Sequence, residues 1–198
     1  VSIGDALGMP VETLTWQEIQ NRFCYITDYM RPDGHKWFDG KEAGSWTDDT
    51  RLTIATADAI AVHGMFDMNL IAAAHIAALR EGDFGWGRAT KESIERLTRG
   101  VAWNISGDPD GVGNGVAMKV APIAAYIARG SWRTLPNMVT DLVHFTQMTH
   151  RTRLAVQSAF AMTEALLSCL NSEPADFGVR QMLGFVLGAS ESVKRRLI

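Results

Sequence analysis

Gly44-Ser45-Trp46-Thr47-Asp48-Asp49-Thr50 runs straight into an apolar stretch from Leu52 to Val62, and the reading of that junction decides the fold. Apolar residues nearly all round a helical period mark a helix covered on most sides, so this one is expected at the centre of the molecule. Gly64 ends it after His63 as a left-handed C-cap. At its start two carboxylates stand side by side, and neighbouring like charges oppose each other's ionisation unless something positive lies beside them. Two readings of these residues stay open. In one, Thr47 is an N-cap and the acids favour the helix dipole. In the other, Thr47, Asp48 and Asp49 are hard oxygen ligands for Mg²⁺ or Mn²⁺.

Working outward, Thr15-Trp16-Gln17-Glu18 is a capping box that opens a short helix to about Arg22. Asp67 caps a helix from Met68 to Arg80, whose alanines imply close helix contacts. Ile94, Leu97 and Val101 recur among charges, which predicts an amphipathic surface helix over Lys91 to Arg99. Gly113-Asn114-Gly115 opens a helix to about Arg129, with Pro122 either kinking it or marking its first turn. Pro136 starts another to about Thr146. Thr149 reads as the N-cap of a helix carrying Val156, Ala159, Phe160, Thr163, Leu166, Leu167 and Leu170 on one stripe. Pro174 begins a last one, with Val179, Met182, Leu183 and Val186 inward. Tyr25 to Gly44, Gly82 to Gly87 and Trp103 to Gly113 read as loops. The first is long enough to act as a lid, and Trp37 and Phe38 suggest that it is packed. No strand–helix alternation, repeat or linker is visible. The expectation is a single all-α domain over residues 1–198, a multi-helix bundle around central buried helices.

Composition sets outer bounds. A hydrophobic fraction of 46% supports a core, and a net charge of -3 without a basic face argues against nucleic acid. The two cysteines, Cys24 and Cys169, form no paired motif and suit a reducing compartment such as the cytoplasm. No membrane-length apolar run and no signal peptide stand out. The chain opens on Val1 without a starting Met and closes on Lys194-Arg195-Arg196-Leu197-Ile198, which reads either as cuts through a longer protein or, more mildly, as processing or trimming.

Three further places hold candidate chemistry. Glu12 follows Pro10 at the exit of Gly4-Asp5-Ala6-Leu7-Gly8-Met9 and is either a surface glutamate or a site residue. Glycines before a helix, as in Gly113-Asn114-Gly115, leave backbone N–H groups free to face an anion, though a plain turn explains them equally. His150 at a helix start is expected neutral, either facing a site or standing beside a cap.

Four stretches in order resemble the ADP-ribosylglycohydrolase family, of the type that includes the dinitrogenase reductase-activating glycohydrolase and a crystallin. They are Gly4-Asp5-Ala6-Leu7-Gly8-Met9-Pro10-Val11-Glu12, Gly44 to Thr50, Gly113-Asn114-Gly115-Val116-Ala117-Met118-Lys119-Val120-Ala121-Pro122, and Thr149-His150. The resemblance spans residues 2 to about 165. It implies an all-α fold with a centre of two Mg²⁺ or Mn²⁺ ions that hydrolyses the bond between ADP-ribose and an arginine or serine side chain, or a small acceptor. By that likeness Thr47, Asp48 and Asp49 are metal ligands, and Glu12, Asp48 and Asp49 are catalytic. Gly113, Asn114 and Gly115 cradle the diphosphate or distal ribose, and His150 lines the pocket. Asp5 is structural, bonding backbone N–H groups near the site. The expected partner is an ADP-ribosylated protein or small ADP-ribosyl substrate, with no nucleic acid or membrane, and a monomer is expected.

One departure matters. The family completes its metal site with a later Asp-x-Asp-Thr segment, and nothing after Pro122 provides it. Three explanations follow: a truncated enzyme, a catalytically inactive ADP-ribose-binding or crystallin-like protein, or a site completed by another chain.

Overall fold

A computed structural model describes residues 1–82, 84–130, 135–171 and 184. The described residues form an all-α assembly. In chain order the α-helices are α1 (Ser2–Gly8), α2 (Trp16–Phe23), α3 (Asp48–His63), α4 (Met68–Glu81), α5 (Arg88–Thr98), α6 (Trp103–Ser106), α7 (Ala121–Ala128), α8 (Leu135–Gln147) and α9 (Arg153–Asn171). Short 3-10 turns lie at Met9–Val11 and Ala117–Lys119. The helix predicted to begin at Pro174 lies outside the described residues.

Local signals set the boundaries. The Thr15–Glu18 capping box forms reciprocally, with Thr15 N–H donating to Glu18 at 2.7 Å and Glu18 N–H donating to Thr15 Oγ1 at 3.3 Å. Asp67 accepts from the N–H groups of Asn69 and Leu70 at the head of α4. Gly64 ends α3 in the left-handed region at φ 65°. Four predicted boundaries differ. α5 begins at Arg88, about a turn before its first charged–apolar repeat. The Trp103–Gly113 loop contains the single turn α6, too short to show a period. The run after Gly115 is not one helix: a 3-10 turn gives way to α7, and Pro122 sits in the first turn of α7, where its missing N–H costs nothing. α9 begins at Arg153, not after Thr149. Its first turn is capped by Thr152, whose Oγ1 accepts from Ala155 N–H at 3.2 Å.

α3 packs against α4, α7 and the turn at Ala117–Lys119, α7 against α9, and α8 against α9. The main core joins Ile60, Phe66, Ile71, Leu97, Val120, Ile123, Leu142, Phe145, Met148, Ala159 and Phe160. A smaller cluster of Leu52, Ala55, Ala78 and Ile94 lies nearer the start of α3. Burying each of the larger of these side chains, the Leu, Ile, Val, Met and Phe, contributes roughly 1.5–3 kcal/mol. α3 is central at its first three turns only, since Ala61, Val62 and His63 are exposed. No helix among the described residues is long and apolar enough to cross a membrane.

Candidate active site

The start of α3 is held from three directions. Thr47 is its N-cap, and its Oγ1 accepts from Asp49 N–H at 3.4 Å. Asp5, from α1, takes four hydrogen bonds on one carboxylate: from Thr47 N–H (2.9 Å), Thr47 Oγ1 (2.8 Å), Thr50 N–H (3.1 Å) and Thr50 Oγ1 (2.6 Å). Asp48 N–H donates to Phe84 O at 2.9 Å, in the link between α4 and α5. With the helix end satisfied by Asp5 and Thr47, the side chains of Asp48 and Asp49 are not needed as caps. They turn into a cavity of about 300 Å³.

That cavity gathers the residues the sequence named as catalytic, metal-ligating or substrate-binding, with Asp5 outside its lining. Glu12, Thr47, Asp48 and Asp49 form one side, and Gly113, Asn114, Gly115 and His150 the other. Capping and cavity-lining therefore coexist at Thr47.

The acid side is electrostatically crowded. Burial pushes the Asp48 carboxyl up to about 7, with Asp49 and Glu12 adding to the rise and the Gly87 N–H, 3.3 Å from Oδ2, opposing it. Asp49 rises to about 6, again through burial first and then through Asp5 and Glu12. Burial also raises Glu12, against the neighbouring His35. The chain leaves Glu12 through Thr13, a β-branched residue at φ 65°, a left-handed conformation that costs about 1–2 kcal/mol.

The facing side is steric rather than electrostatic. Here the glycines are needed for close approach. A Cβ at Gly115 would stand 2.4 Å from Thr90 Oγ1 and 2.8 Å from His150 Cε1, and one at Gly111 2.8 Å from His150 Cδ2. At Gly113 it would meet only His150 Nε2 at 3.8 Å, an ordinary contact. His150 is buried, at 1% exposure. Burial first, then Lys119, lowers it to about 4, so it is neutral. The expected neutrality holds, but its cause is burial in the turn before α9 rather than a helix start.

Sequence reading missed two groups here. Arg88 and Thr90, at the start of α5, line the cavity. Arg88 bonds Asp108 at 2.9 Å and Glu92 at 3.1 Å. No repeat marks that first turn of α5, so nothing in the pattern set them apart. The second is Lys119, which lies at 0% exposure behind His150. A lone charge inside the apolar run Val116 to Ala121 was the available signal.

The carboxylates fit a hard divalent cation in donor type and in their uncompensated charge. They do not complete a shell: among the described residues no three His, Cys, Asp or Glu side chains come together closely enough to hold an ion. Thr47 Oγ1 is also engaged by Asp5.

Comparison with known proteins sharpens this. A family model described as ADP-ribosylglycohydrolase matches residues 1–197. An uncharacterized protein of Archaeoglobus fulgidus is 29% identical over 97% of this chain and 59% of its own length. A Pseudomonas putida protein named ADP-ribosylarginine hydrolase Tri1 is 35% identical over 64% of this chain and 34% of its own. The Rhodospirillum rubrum ADP-ribosyl-[dinitrogen reductase] glycohydrolase is 27% identical over 63% and 41%. The chain thus spans between 34% and 59% of the length of these relatives.

Proposed function

The chain belongs to the ADP-ribosylglycohydrolase family, and from that premise we propose that the protein it represents hydrolyses the glycosidic bond between ADP-ribose and a modified side chain. The observation that carries the reading is the convergence of Glu12, Thr47, Asp48, Asp49, Gly113, Asn114, Gly115 and His150, from four separate stretches, on one cavity. Arginine is the favoured acceptor, because two relatives, from Pseudomonas putida and Serratia proteamaculans, carry the name ADP-ribosylarginine hydrolase. The substrate is an ADP-ribosylated protein or a small ADP-ribosyl compound, and the work is done by a monomer in the cytoplasm.

In this proposal Thr47, Asp48 and Asp49 hold Mg²⁺ or Mn²⁺, with the rest of the shell supplied from outside the described residues. When bound, such an ion would lower the pKa of a water beside it and hold the hydroxyl groups of the ribose in place. Glu12 takes the proton of the attacking water. The new C–O bond forms at the ribose C1 as the bond to the acceptor nitrogen or oxygen breaks, and the proton ends on the leaving group. Its pKa, raised by burial, suits Glu12 to accept and return a proton. The Gly113–Gly115 loop and His150 hold the diphosphate or the distal ribose. A second cavity of about 870 Å³, lined by Lys36, Trp37 and Trp86, shares Glu12, Gly85, Gly87 and Arg88 with the first. We assign it to the acceptor, which makes the 25–44 loop the seat of acceptor selectivity.

The test is ADP-ribose release from ADP-ribosyl-arginine by the whole protein. Release that requires Mg²⁺ or Mn²⁺ and vanishes in Asp48→Ala and Asp49→Ala supports the proposal, and near-normal turnover in either variant rejects it. The incomplete ligand set favours one rival, a non-catalytic ADP-ribose binder. Metal-independent binding of ADP-ribose without turnover would select that rival.

A further inference from the structure

Lys119 is the most unusual buried group outside the acid side, and the hydrogen bonds around it have a fixed direction. Its Nζ lies 3.4 Å from His75 Nε2, 3.2 Å from Thr149 Oγ1 and 5.0 Å from the centre of the Phe145 ring. His75 is also fully buried, and its Nδ1 lies 2.8 Å from the carbonyl oxygen of Ile71. A carbonyl only accepts, so His75 Nδ1 carries a hydrogen. Burial and the Lys119 charge hold His75 neutral, which leaves its Nε2 as a bare lone pair facing Lys119.

The second branch leads to the cavity. A lysine ammonium has donors and no acceptor, so Thr149 Oγ1 accepts from it. The Thr149 hydroxyl hydrogen then needs an acceptor of its own, and His150 Nδ1 lies 3.1 Å away. A neutral imidazole that accepts at Nδ1 carries its hydrogen on Nε2.

We propose that Lys119, acting through Thr149, fixes the tautomer of His150, so that His150 presents an Nε2–H donor to an oxygen of the bound ligand. Nε2 is the ring atom nearest Gly113, and the ring is clasped between Gly111 and Gly115, so it cannot turn over to exchange its nitrogens without moving that loop. Lys119 and Thr149 are positioning residues, and His150 is the group that touches the ligand. A single Nε2–H donor suits an acceptor-only oxygen, which a diphosphate supplies in number. That last clause rests on the ADP-ribose reading above. The tautomer does not.

The experiment is nitrogen-15 NMR of the full chain with labelled histidine, at pH 6, where the Lys119 ammonium is charged and His150 neutral. Wild type should show the Nε2–H form at His150. Thr149→Val, which keeps shape and removes the relay, should convert it to the Nδ1–H form or a mixture, and ADP-ribose affinity should fall about 10-fold, the loss of roughly one hydrogen bond. Lys119→Met should act the same way, whereas Thr149→Ser should restore the wild-type spectrum. If Lys119→Met does not fold, Thr149→Val decides alone. An Nδ1–H signal in wild type, or an unchanged His150 spectrum in Thr149→Val, overturns the proposal. An Nε2–H signal in a protein that does not bind ADP-ribose leaves this inference standing and removes the ligand assignment instead.

Discussion

On one side of the cavity, Asp49 has a carboxylate that accepts no hydrogen bond among the described residues, and Asp48 has one accepted at 3.3 Å. On the other side, Lys119, Thr149 and His150 pass hydrogen bonds along a chain, and the glycines are cut to fit the imidazole. Both sides are buried and polar. The difference is that one is finished by the protein itself and the other is left with excess negative charge. A fold tolerates such unrelieved charge at a cost in stability, which is the usual mark of a place where a ligand or cation completes the arrangement.

The two sides differ most at Asp49. Asp49→Asn should lower hydrolysis by roughly 10³-fold or more, because one charge of the proposed metal site is gone. The same change should stabilise the metal-free protein by about 1–2 kcal/mol, or roughly 3–6 °C in Tm, after allowance for solvent screening. Thermal melts in chelator alongside turnover check both signs, and a destabilised variant would contradict the picture of unrelieved charge.

Asp5 is the control carboxylate, since its oxygens are satisfied by four donors. Asp5→Ala should destabilise by about 3 kcal/mol, because it leaves Thr47 and Thr50 donors unpaired at the head of α3. Chemical denaturation measures this, and a loss under about 0.5 kcal/mol would remove Asp5 from its role.

The fitted side is sharpened by a glycine pair. Gly115→Ala should weaken ADP-ribose binding by about 10-fold or more through displacement of His150, whereas Gly113→Ala should change it less than about 3-fold. Equal effects in calorimetry would show that the loop is not fitted to the ring.

A pH series separates the sides again. The Asp49 carboxyl is raised to about 6 in the fold from 3.8. Its neutral form is therefore favoured in the fold, and the stability this contributes is present below 3.8 and lost as pH rises through 6. The Tm gain of Asp49→Asn should vanish near pH 3.8 and be fully developed above about pH 6. A gain that does not vary with pH would place its origin elsewhere. The smallest expected effect is at the second cavity. Trp37→Ala should raise KM for an ADP-ribosylated protein about 3-fold and leave free ADP-ribose affinity unchanged.

How far the sequence carried depends on the length scale of each signal. Capping chemistry is local, so Thr15, Thr47 and Asp67 marked their helices correctly and Gly64 marked an end. Thr149 misled because an N-cap residue type stood three residues before the residue that caps, Thr152, and its hydroxyl serves Lys119 and His150 instead. Phe38, packed under Gly85, and the exposed Trp37 looked alike in sequence, since only tertiary contact separates them. The site residues were legible as motifs. Their meeting in one cavity, the burial of Lys119 and the entry of Arg88 and Thr90 depend on how α3, α5 and the turn before α7 pack, which no window of sequence contains.

The most direct test of the account is an anomalous-difference map from crystals of the whole protein grown with Mn²⁺ and ADP-ribose. The account predicts manganese density against Thr47, Asp48 and Asp49, with the diphosphate or distal ribose along Gly113 to Gly115 and within hydrogen-bonding reach of His150 Nε2. Manganese absent from that acid pair, with the nucleotide bound away from the cavity, would contradict it.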